Sequence, residues 1–195
     1  MIRLSDDKPI HGDMVAVIDE SSPAAGPGVY YIVTAAVIFN PCVVQDRIAS
    51  VVGERKSPFH YRREGPAALE RMATALEELE VMASVLWRPA GRRGQVAARR
   101  GLLTAHARQV ADDGITHLII ESGNATSDRR DQDTLLDAFA GSGQIPYPYD
   151  WRSKTEPLLW VADFVCGVTA QHLLGGGNSH FDRLASAGII DVRNV

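Results

Sequence analysis

The segment that most constrains the fold is a short apolar run, residues 14–20 (MVAVIDE), which ends in two acids. In an extended strand, successive side chains point to opposite faces. Both alternating sets are apolar here, with Val15 and Val17 on one face and Ala16 and Ile18 on the other. A strand with two apolar faces has to be covered on both sides, which is typical of a central strand in an α/β sheet. We therefore expect an α/β domain built around this strand.

Further strand and helix patterns follow along the chain. A β-branched and aromatic run at 29–39 comes after a turn-forming segment at 21–28, so the first two strands are predicted to form an antiparallel hairpin. The residues after 177 are predicted to be a peripheral turn and tail. The order of strands and helices along the chain predicts a single α/β domain over residues 1–195, with a mixed sheet and helices packed on it. Helices are predicted at 40–53, 66–79, 95–111, 131–140 and 155–174, and further strands at 81–87, 116–121 and 145–151.

Length and composition indicate one intracellular domain. A chain of 195 residues with 45% apolar and 23% charged residues has the material for one hydrophobic core. We see no signal peptide, and no apolar stretch is long enough to span a bilayer. Cys42 and Cys166 are expected to be buried, reduced thiols, since two isolated cysteines form neither a zinc site nor a disulfide framework. We expect a cytoplasmic protein without a membrane partner, and the sequence gives no indication of its oligomeric state.

Positive charge is concentrated in one segment, although the net charge of the chain is −4. Residues 81–111 contain six arginines and no acid, which leaves a net charge of −10 on the rest of the chain. Such a segment is either a solvated basic helix face or a surface that binds phosphate oxygens, as clustered guanidinium groups do. On the second interpretation, the candidate nucleic-acid contacts are Arg92, Arg93, Arg99 and Arg100.

Three acids stand out by their positions. Asp19 ends the first strand, Glu121 ends the strand at 116–121, and Asp163 lies in a strongly apolar helix, where an isolated carboxylate is costly to bury. Converging carboxylates repel one another, and Mg²⁺ or Mn²⁺ would resolve the repulsion because these ions prefer oxygen ligands. Each acid also has a structural alternative. Asp19 and Glu121 would cap the loops that follow them, and Asp163 would pair with an arginine or a backbone amide.

Several polar neighbours of these acids have open roles. Glu20 is adjacent to Asp19, so its side chain is expected on the opposite sheet face; Asp19 is the preferred ligand and Glu20 the alternative. His60 stands beside two arginines and is either structural or a substrate contact. Lys154 precedes the last helix and would meet a phosphate or an acid. A solvated loop and helix start is predicted for Asp128, Asp131 and Asp133.

Three blocks of the sequence resemble the family known as domain of unknown function 3800. The first is the strand end at 18–22 (IDESS), and the second is the histidine-containing segment at 59–62 (FHYR). The third, 153–167 (SKTEPLLWVADFVCG), is a serine-containing turn followed by an apolar helix that bears Ala-Asp. The resemblance spans nearly the whole chain. This sequence departs from the pattern at Ser22, where glycine is usual, and at Glu121, where aspartate is common.

The resemblance implies a ribonuclease-H-like fold and a relationship to nucleases or Holliday junction resolvases. It also implies an acidic site made of Asp19, Glu121 and Asp163, with Glu20 as a further candidate. The expected function is therefore a Mg²⁺- or Mn²⁺-dependent nuclease acting on DNA or RNA, with the four arginines, His60 and Lys154 as nucleic-acid contacts. Two alternatives stay open: a non-catalytic interaction module that keeps the fold as a scaffold, and an enzyme that handles a small phosphate-containing molecule.

Overall fold

The computed structural model describes residues 14–53 and 57–195 of the chain. Within these residues the strands are β1 (Met14–Ser21), β2 (Ala24–Ala25), β3 (Gly28–Phe39), β4 (Val81–Ala90), β5 (His117–Glu121), β6 (Tyr149–Arg152) and β7 (Ile190–Asn194). The helices are α1 (Pro41–Val52), α2 (Pro66–Glu78), α3 (Gln95–Asp112), α4 (Ala125–Ala138), α5 (Pro157–Leu173) and α6 (Ser179–Ser186), and a 3-10 turn covers Tyr61–Arg63.

β1 lies inside one mixed sheet with the strand order β6–β5–β1–β3–β4–β7, and β2 pairs with β3. β1 is antiparallel to β3 and parallel to β5, and β3 is antiparallel to β4. β6 and β7 run parallel to β5 and β4. The predicted hairpin, the central first strand and the mixed α/β architecture are therefore confirmed. Because of these directions, the carboxyl ends of β1, β4, β5, β6 and β7 lie at one edge of the sheet, which we call the carboxyl edge.

A layer of helices covers each face of the sheet, as the two apolar faces of β1 require. Val15 and Val17 belong to a core with α1, α2, α5 and α6, on the side that we call the α5 face. Ala16 and Ile18 belong to a second core with α3 and α4, on the α3 face. α5 is itself deeply buried, with twelve of its 17 residues packed inside the protein. None of the helices in the described part of the chain combines the length and the apolar character needed to cross a membrane.

β4 continues to Ala90, beyond its predicted end at 87. Pro89 lies within the strand and pairs with Tyr30 of β3. β7 pairs with β4 only as far as Trp87, so Pro89 lies where β4 has one neighbour instead of two. A proline has no N–H to donate and is tolerated at such an edge position. The same property of Pro148 explains why β6 starts later than predicted.

α4 begins at Ala125, well before the predicted start at 131. The side chain of Asn124 accepts hydrogen bonds from the N–H groups of Thr126 at 3.0 Å and Ser127 at 3.1 Å. The hydroxyl of Ser127 accepts in return from the N–H of Asn124 at 2.9 Å. This capping box stabilises a first turn whose polar composition had indicated a loop.

The residues near the carboxyl terminus form a helix and a strand, so the predicted peripheral tail is wrong. Asn178 caps α6 by accepting from the N–H of Phe181 at 3.0 Å, and α6 buries Phe181 and Leu184 on the α5 face. β7 then pairs in parallel with β4. Its sequence, IDVRN, buries only Ile190, so neither alternation nor an apolar run marked it as a strand.

The two cysteines differ in their surroundings. Cys166 is buried in α5 as expected, but Cys42 is exposed, and the prediction of a buried thiol is wrong for it. The buried positions of α1 are Pro41, Val44 and Ile48. Cys42 lies outside this stripe, so its side chain faces outward in the first turn.

A glycine in the middle of α5 allows Tyr61 to pack against the helix. A Cβ atom added at Gly167 would lie 2.1 Å from Cγ and 2.7 Å from Cβ of Tyr61. The Tyr61 ring also meets the ring of Phe164 edge-on at 5.7 Å, and its hydroxyl donates to Gln171 at 2.7 Å. These contacts fix the 3-10 turn on the surface of α5.

Alanine at the two mid-helix glycines, Gly167 of α5 and Gly101 of α3, should have opposite effects on stability. Gly167→Ala should lower the free energy of unfolding by about 1–3 kcal/mol, because the new methyl group overlaps the Tyr61 ring. Gly101→Ala should raise it by about 0.5–1 kcal/mol, because its Cβ first meets the Arg88 guanidinium at 3.7 Å and alanine favours the helix. Urea unfolding measures both changes. A neutral or stabilising Gly167→Ala would contradict the packing described.

Candidate functional site

Asp19 and Glu121 lie side by side at the carboxyl edge. β1 and β5 are parallel neighbours whose register pairs Ile18 with Ile120, and the next residue on each strand is one of the two acids. Both acids fall on the α5 face by the alternation of their strands. α5 packs over this face and brings Asp163 into electrostatic contact with Asp19.

Asp19 is buried, with 6% of its surface exposed, and its neighbours include two further acids. Burial raises the pKa of Asp19 well above its ordinary value, and the charges of Glu121 and Asp163 and a hydrogen bond with Glu121 raise it further. Lys154 acts in the opposite direction. One oxygen of Asp19 accepts from the N–H of Glu20 at 2.7 Å. The three carboxyl groups thus interact with one another, and a proton or a cation has to offset their charge.

Asp163 is fixed by two groups from the segment before α2. Its Oδ1 lies 3.0 Å from Nδ1 of His60, and its Oδ2 accepts from the N–H of Tyr61 at 2.6 Å. Burial raises the pKa of Asp163; the Tyr61 N–H and His60 oppose this shift, and the charge of Glu121 adds to it. Tyr61 rests on Gly167, one helical turn after Asp163, so a single segment holds both positions of α5.

Lys154 brings a positive charge to the acids. Its Nζ lies 2.7 Å from Oε1 of Glu121. Its backbone carbonyl accepts from Nε1 of Trp160 at 2.7 Å, which holds the loop between β6 and α5. Partial burial opposes protonation of Lys154, but the hydrogen bond and charge of Glu121, with Asp19 and Asp163, raise its pKa. Of the two partners considered for Lys154, a phosphate or an acid, the structure therefore has the acid.

A thiol connects α5 to the sheet at the carboxyl edge. Sγ of Cys166 lies 3.0 Å from Oγ1 of Thr34 and donates to the carbonyl oxygen of Asp19 at 3.6 Å. Thr34 is the ladder partner of Asp19 on β3. Burial, followed by the charge of Asp19, raises the pKa of the Cys166 thiol, which keeps it neutral and able to donate. α5 is thereby positioned relative to the end of β1.

The donor atoms of the three acids suit a hard divalent cation, since all are carboxylate oxygens. Within residues 14–53 and 57–195, however, no group of three or more His, Cys, Asp or Glu side chains is arranged so as to hold a metal ion. Glu121 is bonded to Lys154, and both oxygens of Asp163 are bonded to residues 60 and 61. The side chains are therefore of the right chemical kind for such an ion, although their present arrangement does not form a ready-made site.

Glu20 belongs to a separate network on the α3 face, where the alternation of β1 places it. Its carboxylate is paired with Arg99 and accepts from the hydroxyl of Tyr31. Nε and Nη2 of Arg99 also donate to the two oxygens of Asp131, at 2.8 and 2.7 Å. Asp131 is only 1% exposed, so the prediction of a solvated position is wrong for it.

The predicted basic surface divides into paired and unpaired arginines. Arg99 has 20% of its side chain exposed and is occupied by the network just described. Arg100 lies at the surface and pairs with Asp137 at 2.7 Å. Arg92 and Arg93 are exposed in the connection from β4 to α3, at the carboxyl edge, and pair with no acid among the described residues. Arg92 and Arg93 therefore have guanidinium groups that could contact a phosphate ligand, whereas those of Arg99 and Arg100 are already paired with acids.

Sequence reasoning did not identify Tyr61 or the pair of Arg99 with Asp131. Tyr61 holds Asp163 through its backbone N–H, which no side-chain pattern marks. A signal for Asp131 did exist, because it shares the buried stripe of α4 with Thr134 and Leu135 at i+3 and i+4. An acid within such a stripe indicates a buried partner.

No protein-family model and no curated protein matches the chain. Among solved structures it is similar to a chain from the structure of the PCNA:RNase HII complex from Archaeoglobus fulgidus, with a TM-score of 0.53. The alignment covers 91% of each chain at 14% sequence identity, which shows the fold alone. This chain has a ribonuclease-H-like fold. The predicted fold class is confirmed, and the resemblance to domain of unknown function 3800 stays a prediction.

Without metal, the stability conferred by Asp19 should fall as pH rises. Its pKa is raised in the folded protein, so the folded state holds the proton more tightly than the unfolded state, where the pKa is about 3.9. The stabilisation is complete below that value and is lost as pH rises through the folded pKa. In a chelator, Asp19→Asn should therefore gain stability relative to wild type as the pH rises above about 4. Chemical unfolding measures this, with exposed Asp46→Asn as control; a pH-independent difference for Asp19→Asn would contradict it.

Arg99 and Arg92 should respond very differently to loss of charge. Arg99→Met should lower the free energy of unfolding by about 3–5 kcal/mol, because it leaves Asp131 buried without its partner. Arg92→Met should change it by less than about 0.5 kcal/mol, because Arg92 is exposed. Urea unfolding of the two variants is the measurement. Small effects of equal size would mean that Arg99 is a surface residue open to phosphate.

Proposed function

We propose that this chain is a divalent-metal-dependent nuclease that hydrolyses phosphodiester bonds in DNA or RNA. The observation that carries the proposal is the meeting of three acids at the carboxyl edge, Asp19 and Glu121 from neighbouring parallel strands and Asp163 from α5. Ligands of open α/β sheets bind outside the carboxyl ends of the strands. The ribonuclease-H-like fold and the similarity to a ribonuclease HII structure support the proposal by analogy.

Asp19, Glu121 and Asp163 would hold Mg²⁺ or Mn²⁺ through their carboxylate oxygens. When bound, such an ion supplies water activation and charge stabilisation at the phosphate. The contribution of the protein is rigid placement of the ligands. Asp19 ends a strand that is paired on both sides, and Asp163 is held by His60 and by the N–H of Tyr61.

Exposed arginines beyond the ends of β4 and His60 support a polyanionic substrate. Arg92 and Arg93 follow β4 at the carboxyl edge, and Arg62 and Arg63 are exposed in the 3-10 turn that begins after His60. None of the four pairs with an acid in the part of the chain that the structure describes. Guanidinium groups in such positions bind the phosphate oxygens of a nucleic-acid backbone without reading its sequence. Arg99 and Arg100, by contrast, are engaged with acids and contribute less to such a surface.

A non-catalytic scaffold is the second candidate, and one observation favours it. Glu121 is paired with Lys154, and Asp163 contacts His60, so two of the three acids have protein partners without a metal. If these pairs are the purpose of the acids, the protein neither binds Mn²⁺ nor cleaves nucleic acid.

Asp19→Asn should separate nucleic-acid cleavage from nucleic-acid binding. The substitution keeps the shape of the side chain and removes the charge that a cation needs. Cleavage in Mn²⁺ of labelled single- and double-stranded DNA and RNA should fall at least ~100-fold, because the affected group is a metal ligand. Binding of the same nucleic acids, measured in parallel, should persist through the arginines. Exposed Asp46→Asn, which removes an equal charge from α1, should keep both activities.

Two outcomes would speak against the nuclease. Undiminished cleavage by Asp19→Asn would remove this residue from the mechanism. No cleavage by the wild type on any of these substrates, together with no rise in melting temperature in Mn²⁺, would favour the scaffold, since an ion that binds the folded state stabilises it.

A further inference from the structure

Lys154 approaches the acids from a loop whose backbone is fixed. The Trp160 indole donates to the Lys154 carbonyl at 2.7 Å, so the start of the side chain is held between β6 and α5. The side chain itself is 57% exposed, whereas its partner Glu121 is 17% exposed. Lys154 therefore reaches inward from the rim of the site, and its ammonium group can withdraw into solvent without a change of the backbone.

The positive charge of Lys154 interacts with all three acids, and not only with Glu121, which it contacts directly. Its Nζ is 2.7 Å from Oε1 of Glu121, and it also interacts electrostatically with Asp19 and Asp163. In the other direction, Lys154 lowers the cost of a negative charge on Asp19. A lysine carries three donors and one positive charge in a compact group, which is what a cluster of carboxylate oxygens requires when no ion is bound.

Glu121 is the acid to which Lys154 is directly bonded. Its Oε1 lies 2.7 Å from Nζ of Lys154, and a carboxylate whose charge is offset by an ammonium group attracts a second cation less strongly. Lys154 and an incoming cation therefore compete for the negative charge of Glu121.

We propose that Lys154 is a displaceable counter-ion of this carboxylate site, whose ammonium group competes with a divalent cation for Glu121 and so sets the affinity of the site for metal. The inference rests on the proposed function, because it concerns the same three acids. It assigns to Lys154 a role opposite to that of a ligand: its removal strengthens metal binding and weakens the metal-free protein.

Removal of the competing charge can be measured without any assay of activity. Free Mn²⁺ is followed by electron paramagnetic resonance while chelator-stripped wild type, Lys154→Met and Lys154→Arg are titrated at pH 7. Lys154→Met should bind Mn²⁺ roughly two- to fivefold more tightly, the range expected when a partly exposed ion pair no longer competes. Lys154→Arg retains the charge and should stay close to wild type. Lys154→Gln repeats the test with a polar side chain in case Met disturbs the loop.

A second readout uses stability alone. In chelator, Lys154→Met should melt at a lower temperature than wild type, because the buried acids have lost their counter-ion, and saturating Mn²⁺ should raise its melting temperature by more than it raises that of wild type.

The outcomes distinguish this inference from the proposed function. Equal or weaker Mn²⁺ binding by both Lys154→Met and Lys154→Gln would overturn the competition while the metal site stands. Absence of Mn²⁺ binding in wild type and in every variant would overturn the metal site, and the competition with it.

Discussion

The burial of the Asp19 carboxyl group governs its surroundings at the carboxyl edge. β1 is apolar on both faces and has a neighbour on each side, so the residue that ends it on the α5 face is shielded from solvent. An acid in such a place needs partners. The N–H of Glu20, a hydrogen bond with Glu121 and the charge of Lys154 supply them from three different segments. The contacts at the carboxyl edge therefore converge on the buried Asp19 carboxyl group, which is the group most costly to bury there.

The acids on the two faces of β1 differ in how their charges are balanced. On the α3 face, Glu20 and Asp131 share Arg99, and the network holds β1, α3 and α4 together. On the α5 face, three carboxyl groups outnumber the ammonium group of Lys154, which leaves an excess of negative charge. Acids balanced by a fixed arginine serve the fold, whereas acids left in excess raise one another's pKa and favour a cation. This imbalance distinguishes the candidate site from the structural network next to it.

The sequence was sufficient wherever a pattern repeats along one element. Seven residues of β1 predicted a central strand with helices on both sides, and strand alternation separated Asp19 from Glu20. It was insufficient wherever the deciding contact joins distant segments. Arg99 stands in a run of arginines and yet pairs with an acid on another helix, and β7 is a strand because β4 offers it a free edge. The hold on Asp163 by a backbone N–H is of the same kind, since only the folded chain brings Tyr61 to it.

The contact of Tyr61 with Gly167 also limits how this protein can change during evolution. Position 167 can accept a side chain only if position 61 has given up its ring, so in related sequences the two positions should vary as a pair. The two hydrogen bonds to Asp163, from the His60 side chain and from the N–H of residue 61, differ in how easily a substitution removes them. The bond from His60 is lost with a single change of codon. The bond from position 61 comes from the backbone, and every residue except proline can inherit it.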